Sequence, residues 1–368
     1  MSAPIALDLF AGTGWGVACK ALGMEEHGVE IMPEAIASRD AAGMSTVYRD
    51  VWDGLEDPDL IPAHDLLIAS PPCQTFSVAG RGAGRAALDD VLKLIATDAW
   101  ALKGTALRDA AVDAGLDDRT ALVISPLAYV AHAGPTFVAL EQVPTVLPVW
   151  LAVGDVLRRL GYSVDVGVLN AEQHGVPQTR RRAILVARND GEQARLPTPT
   201  HSRYYSRDPK RLDPGVRSWV SMAEALDWGM TERPYFTVAA GTSAGGVDPA
   251  YIGGSGARAM LMREFDTGRW RYRSNYSTTA RGDLTAPTGN KLPRTERPLT
   301  HPAVTVTGKR AAWTDGERVV RLTDAEAATL QSYPADFPFQ GARGPVAQQI
   351  GNAVPPVLAE AVLRAATT

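Results

Sequence analysis

Four apolar residues, Leu66-Leu67-Ile68-Ala69, run directly into Ser70-Pro71-Pro72-Cys73-Gln74-Thr75-Phe76-Ser77. An unbroken apolar run of that length reads as a short buried strand. Two successive prolines end it, because each fixes φ and neither can donate to a sheet ladder. The result is a stiff loop at the carboxyl end of a strand, the edge along which α/β sheets place their ligands. A cysteine on such a loop can present a nucleophilic thiolate, and an isolated cysteine can equally be a small core residue. The loop alone leaves both readings open.

Other strand tips carry chemistry of their own. Ile5-Ala6-Leu7-Asp8-Leu9-Phe10 is a buried-strand pattern that runs into Ala11-Gly12-Thr13-Gly14-Trp15-Gly16 and then a helical stretch through Leu22. Strand, glycine turn and helix let the backbone approach a nucleotide-like cofactor. The strict dinucleotide spacing is missing, which disfavours a nicotinamide enzyme. Glu26 to Ile31 reads as a strand ending in Glu30, where a carboxylate can accept from a ribose diol. Asp50 stands at a third tip and can receive an exocyclic amine, with Val51 against the base. Thr136 to Leu140 is a strand ending in Glu141-Gln142. Tips of one parallel sheet share an edge, so Cys73 and Glu141 can converge. Pro177-Gln178-Thr179-Arg180-Arg181-Arg182 leads into the strand Ala183 to Ala187. Alternation predicts Arg180 and Arg182 on one face, available to a carbonyl oxygen or to phosphates. Helices are expected over Ala86 to Ala114 (one or two), Leu122 to Ala131, Val149 to Leu160, Asp324 to Tyr333 with Thr323 as N-cap, and Val357 to Ala366. Gly80 to Arg85 is rich in glycine and arginine and is expected to be mobile, able to serve as a lid.

Charge points to a partner. The 368 residues carry a net charge of −4, yet His201 to Arg310 holds 17 Lys+Arg against 10 Asp+Glu. An acidic body with one basic segment suits a protein that meets a polyanion through one part only. Within that segment Arg269-Trp270-Arg271-Tyr272-Arg273 alternates guanidiniums with aromatics, which suits contact with a nucleic-acid backbone. Its fold is not legible, and the polar, proline-bearing stretch from Asn189 to Pro199 reads as a domain boundary. Two cysteines, Cys19 and Cys73, with no C-x-x-C pair argue against a disulfide framework or a zinc site and fit a reducing compartment. No apolar run is long enough to cross a bilayer, and no signal peptide opens the chain, so a cytoplasmic protein without a membrane partner is expected.

Together these stretches resemble the cytosine-C5 DNA methyltransferase family. The matches are Asp8-Leu9-Phe10-Ala11-Gly12-Thr13-Gly14, Ser70-Pro71-Pro72-Cys73-Gln74, Glu141-Gln142-Val143, Gln178-Thr179-Arg180-Arg181-Arg182 and Gly351-Asn352-Ala353-Val354-Pro355-Pro356, in the family's order. The resemblance implies a Rossmann-like, doubly wound α/β domain that binds S-adenosylmethionine, with a smaller target-recognition domain inserted: 1–195 and 303–368 for the first, 196–302 for the second. It implies Cys73 as nucleophile, Glu141 on the cytosine N3 and N4 edge and Arg182 on O2, with Arg180 beside it. Phe10, Gly12, Gly14, Glu30, Ile31, Asp50, Val51, Pro72, Leu122, Asn352 and Ala353 would meet the cofactor. Gln74, Ser77, Arg81, Arg269, Arg271 and Arg273 would meet double-stranded DNA. The expected protein is a monomer of prokaryotic or phage origin, with room for a cognate restriction endonuclease as partner. A tRNA cytosine methyltransferase and a non-catalytic DNA-binding relative are the competing readings. Two departures stand out: Gln142 replaces the family's asparagine, and the stretch from Gly82 to Asp118 is long for the family and has room for an added helix.

Overall fold

The computed structural model describes residues 3–72, 82–226, 261, 268–277, 294–307, 311–317 and 319–368. Cys73, Gln74, Ser77 and Arg81 lie outside them.

The first half of the chain alternates strands and helices: β1 (Ala6–Leu9), α1 (Gly14–Ala21), β2 (Glu26–Val29), α2 (Pro33–Ala41), β3 (Ser45–Tyr48), α3 (Val51–Glu56) and β4 (Leu66–Ala69). Then come α4 (Gly82–Ala96), α5 (Ala106–Asp113), α6 (Asp118–Ala121), α7 (Ser125–Ala133), β5 (Phe137–Gln142), α8 (Leu147–Arg159), β6 (Ser163–Asn170), β7 (Gln178–Thr179) and β8 (Arg181–Arg188). Seven of these strands make one sheet in the order β3-β2-β1-β4-β5-β8-β6. The pairings from β3 to β5 are parallel, and β8 runs antiparallel to both β5 and β6. It is the Rossmann-like architecture the sequence pattern predicts, with one reversed strand.

Burial explains the apolar runs. Leu7, Leu9, Leu67, Ala69, Val138, Leu140 and Leu185 face one core, shared with α7 and α8. Their neighbours Ala6, Leu66, Ile68, Ala139, Ile184 and Val186 face a second core on the other side of the sheet, shared with α1 and the last helix, α12 (Pro356–Thr367). Strands covered on both faces need apolar residues at every position, so alternation disappears. The long stretch after Gly82 does hold an extra helix, α5, and its Leu107 and Ala111 are buried in the first core together with Trp100.

A second body has its own core. Beyond α9 (Met222–Leu226), strands β9 (Arg271–Ser277), β10 (Arg294–Pro298), β12 (Ala312–Thr314) and β13 (Val319–Arg321) form an antiparallel sheet in the order β10-β9-β12-β13; β11 (Ala303–Val304) instead pairs with β7. Trp270, Tyr272 and Trp313 fill this core, with the Tyr272 and Trp313 rings 5.5 Å apart, edge to face. The aromatics of the Arg-Trp-Arg-Tyr-Arg run therefore point inward, and strand alternation leaves only its arginines outside. Residues expected to return to the large domain from 303 onward share this core as well: Val306, Val320, Leu330 of α10 (Asp324–Leu330) and Ile350 of α11 (Arg343–Asn352). Packing shifts back to the large sheet at Val354 and α12. Thr323 caps α10 as expected, in a reciprocal capping box with Glu326.

Candidate active site

The carboxyl tips of β1, β2, β3, β4 and β5 line one edge of the sheet. After β1 the backbone turns sharply: Phe10 has φ +60° and Gly12 φ +47°, a conformation L side chains rarely adopt. Nothing lies within 4 Å of the place where a Cβ on Gly12 would stand. The Gly12 N–H donates to Glu30 Oε2 at 2.8 Å, and the Met32 N–H donates to Glu30 Oε1 at 2.7 Å. Each carboxylate oxygen thus takes one amide and keeps a lone pair for a hydroxyl. Asp50 caps α3, with Oδ1 accepting from the Trp52 N–H at 3.1 Å. Phe10 and Leu122 both pack, half-buried, against the first core; Ile31, two residues past the end of β2, stands 65% exposed. Val51 is buried, Pro72 and Ala353 half-buried, and Asn352 exposed. Open space at Gly12, with Glu30 at the adjacent tip and Asp50 one strand further on, fits an adenosyl group with its diol and amine. Glycine at 14 answers a different demand, since a Cβ there would collide with the Val354 carbonyl oxygen.

Beneath Gly12 lies a sealed charge cluster that sequence reasoning missed. Arg39 Nη2 donates to both Glu26 oxygens at 2.7 and 2.9 Å, its Nε to Thr46 Oγ1 at 3.0 Å, and its Nη1 to the Gly12 carbonyl at 3.2 Å. Gly12 is therefore held from both ends, by Glu30 and by Arg39. Asp8 is also buried there, and burial, reinforced by the Glu26 charge, holds its carboxyl well above the usual range. Arg39 sits on α2 among ordinary surface-type residues, and only the close passage of Gly28 beneath it, where a Cβ would collide with Nη2, reveals the contact.

The tips of β4 and β5 are bound together. Gln142 Nε2 donates to the Pro71 carbonyl at 2.5 Å, and Gln142 Oε1 accepts from the Val143 N–H. The longer side chain at 142 thus braces the root of the Pro-Pro-Cys loop. Trp15 Nε1 adds a bond to Ser70 Oγ at 2.8 Å, tying α1 to the same root. Beside Gln142, Glu141 Oε1 lies 2.6 Å from Arg182 Nε, and the two side chains are 6% and 12% exposed. The reversal of β8 creates this pair: because β8 runs antiparallel, its first residues lie against the last residues of β5, with Glu141 opposite Ile184.

Arg180 goes elsewhere. It lies in the break between β7 and β8, fully buried, and donates to the Val306 carbonyl at 3.0 Å and the Gly351 carbonyl at 3.1 Å. The expected shared face with Arg182 is not observed, because the strand is interrupted at residue 180 and regular alternation does not cross the break. Gln178 and Gln331 complete the same fastening: Gln178 takes the Val306 N–H at 2.9 Å, and Gln331 Nε2 reaches the carbonyls of Ile350 and Ala353 at 2.8 and 2.9 Å. Tyr333 and Thr13 join hydroxyls at 2.7 Å, linking the turn after β1 to the second body. Gln331 and Tyr333 carried no recognisable sequence signal beyond their place after a capped helix.

Of the expected DNA contacts, Arg269 is exposed, Arg271 Nε lies 3.6 Å from Glu296, and Arg273 is half-buried. Cys19 is sealed in the core of α1, and burial pushes its thiol up, so it is unavailable as a nucleophile. Among the described residues no helix is long and apolar enough to cross a membrane.

Comparison with known proteins identifies the family and the fold. The profile of the family described as C-5 cytosine-specific DNA methylase matches residues 6–95 and 113–367. It passes over residues 96–112, inside the stretch that is long for the family. The chain is 29% identical to the type II methyltransferase M1.HphI of Haemophilus parahaemolyticus over 82% of its own length and 68% of that protein's. It is 27% identical to the type II methyltransferase M.AplI of Arthrospira platensis over 98% of its own length and 84% of that protein's. In fold it resembles the Dnmt2 methyltransferase of S. pombe, with a TM-score of 0.55 and 14% identity, covering 98% of this chain and 97% of that one. It also resembles the methyltransferase EhMeth of Entamoeba histolytica, with a TM-score of 0.51 and 13% identity over 100% and 98%.

Proposed function

The chain belongs to the C-5 cytosine-specific DNA methylase family and is a DNA cytosine-5-methyltransferase; from that premise we propose that it carries the methyl group of S-adenosylmethionine to C5 of a cytosine in a specific duplex sequence, through a covalent bond from Cys73 to C6. The observation that carries this reading is the Glu141–Arg182 pair beside the braced root of the Pro-Pro-Cys loop.

Cytosine C5 is a weak nucleophile. Addition of the Cys73 thiolate to C6 breaks the C5–C6 double bond and moves its electrons toward the ring's N3 and C5. Glu141 provides the proton that N3 takes up, and its second oxygen accepts from the N4 amine. Arg182 turns from Glu141 to the O2 oxygen and stabilises the charge that builds there. C5 thereby gains the nucleophilic character that methyl transfer needs. Loss of the C5 proton to a base, return of the N3 proton to Glu141 and expulsion of the thiolate then restore the aromatic ring. None of these atoms is reachable in a stacked duplex, so the base is flipped out of the helix.

Phe10, Gly12, Glu30, Ile31, Asp50, Val51, Pro72, Leu122, Asn352 and Ala353 hold S-adenosylmethionine, with Gly14 giving the turn its close fit to Val354. When bound, that cofactor supplies an electrophilic methyl group on sulfur. Gln74, Ser77 and Arg81 act near the flipped base, and the second body, through Arg269, Arg271 and Arg273, holds the flanking DNA. Arg180 serves the site by fastening the Gly-Asn-Ala-Val segment.

Bisulfite sequencing of DNA from cells producing the protein tests the proposal. Wild type is expected to leave protected cytosines in one recurring sequence context. Cys73→Ser is expected to leave none while still binding DNA, and equal protection by that variant overturns the covalent mechanism.

A further inference from the structure

The segment from Arg203 to Arg217 carries five cations, Arg203, Arg207, Lys210, Arg211 and Arg217, against two acids, Asp208 and Asp213. It is a closed loop. The Ser202 N–H donates to the Arg217 carbonyl at 2.7 Å, and the Arg217 N–H to the Thr200 carbonyl at 3.1 Å. Inside it, Asp213 accepts from the Arg203 N–H at 2.8 Å and from the Tyr205 hydroxyl at 2.7 Å, while its own N–H donates to Ser202 Oγ at 2.8 Å. The Tyr205 hydroxyl accordingly holds the Asp213 carboxyl below the usual carboxylate range. Asp213 thus spends its hydrogen bonds on the loop's own backbone and on Tyr205, and makes no ion pair with any of the five cations, although the Arg211 charge also favours its ionised form. The Tyr205 ring carries the Arg211 guanidinium at 4.0 Å and the Arg203 guanidinium at 5.7 Å.

All five cations are exposed, and among the described residues none has a carboxylate within 4.0 Å, in contrast to Arg271 with its Glu296. A small ordered loop that crowds like charges repels itself unless a polyanion meets it. Its root is fixed as well. The N–H groups of Thr200 and His201 both donate to the Gln173 carbonyl, at 2.9 and 3.0 Å. On the other side, the Tyr204 hydroxyl lies 2.7 Å from His301 Nδ1, and the Arg297 guanidinium stacks 4.8 Å from the Tyr204 ring centre. The loop is therefore anchored both to the segment that leads into Arg182 and to the end of β10 in the second body.

Resting on the methyltransferase reading above, we propose that the loop 203–217 is a binding site for the phosphodiester backbone of duplex DNA, separate from β9, which sets the register of the duplex between the two bodies. Guanidiniums already aligned by Tyr205 lose little freedom when they engage phosphates.

The test is binding of a fluorescein-labelled duplex of random sequence, followed by anisotropy across a series of salt concentrations. Backbone contact does not depend on sequence, so no recognition site is needed. Arg207→Gln with Lys210→Gln leaves the Tyr205 stack untouched. This double variant is expected to weaken binding by about tenfold or more and to flatten the slope of log K against log salt by roughly 2, about 0.9 for each phosphate no longer neutralised. Arg207→Lys with Lys210→Arg keeps the charge and is expected to keep the wild-type slope. A Gln variant with the wild-type melting temperature and an unchanged slope overturns the proposal. So does a slope change seen with transfer RNA but absent with duplex DNA. If the slope changes as expected while the wild-type protein methylates no DNA, the methyltransferase reading fails and the loop's role in binding stands.

Discussion

Two buried carboxylate–arginine pairs draw their acids from the same sheet, Glu141 from β5 and Glu26 from β2, and they are built for opposite ends. At the β5–β8 edge, Glu141 and Arg182 hold each other at 2.6 Å with side chains 6% and 12% exposed. Under the β1 turn, Glu26 and Arg39 are 2.7 Å apart with side chains 5% and 0% exposed. The distances hardly differ; the remaining partners do. Arg39 also reaches Thr46 and the carbonyls of Gly12 and Ser45, so its donors are consumed by the protein. Arg182 has, besides Glu141, a bond to the neighbouring Arg181 carbonyl at 2.8 Å. A pair that keeps free hydrogen-bonding capacity at an accessible edge can exchange its partner for a ligand. A pair saturated by backbone acts as a brace, here for Gly12.

That contrast makes predictions that separate rate from stability. Glu141→Gln keeps the shape of the edge but cannot deliver a proton to N3. It is expected to lower kcat by about 10²–10⁴-fold, with little change in melting temperature, measured by transfer of labelled methyl groups to DNA. Loss of stability without loss of rate would break the comparison. Arg39→Met should do the reverse. It leaves Glu26 and Asp8 buried without a cation, and a cost of about 3–5 kcal/mol is expected in denaturant unfolding. A variant of full stability would show that Arg39 is not the brace.

Glu172 sharpens the point with a smaller effect, because it is a buried acid whose Oε2 finds no partner. Burial pushes its carboxyl up from 4.5 to about 7, with the charges of Arg203 and Arg297 opposing the shift. A raised acid binds its proton more tightly in the folded state, so the protein loses stability as pH climbs from about 4.5 and the loss is complete above about 7. Glu172→Gln is expected to gain about 1–3 kcal/mol over wild type at pH 8 and almost nothing at pH 4. Melting curves at both values check the sign; an equal gain at both would refute the titration of Glu172.

Strand tips were legible because their signal is local. An apolar run followed by Glu30, Asp50 or Glu141 announces both the strand and the edge at which it ends. The caps and helices around Thr323 and after Pro356 were legible for the same reason. Arg180 and Arg182 were not separable, since the alternation rule assumes an unbroken strand, and the break at residue 180 depends on β7 finding its partner β11, more than a hundred residues away. The Arg-Trp-Arg-Tyr-Arg run misled in a related way: period two in a strand separates inside from outside, and Trp270 and Tyr272 went inside.

By itself, the order of residues determined which short segments become strands, which side chains stand at their ends, and hence the chemistry on offer: a thiol, an acid and a guanidinium. Tertiary structure alone decided which acid meets which arginine. Charge pairing in a folded chain is settled by strand order and direction. The reversal of β8 brought Arg182 to Glu141, and the docking of α2 over Gly28 sealed Arg39 against Glu26.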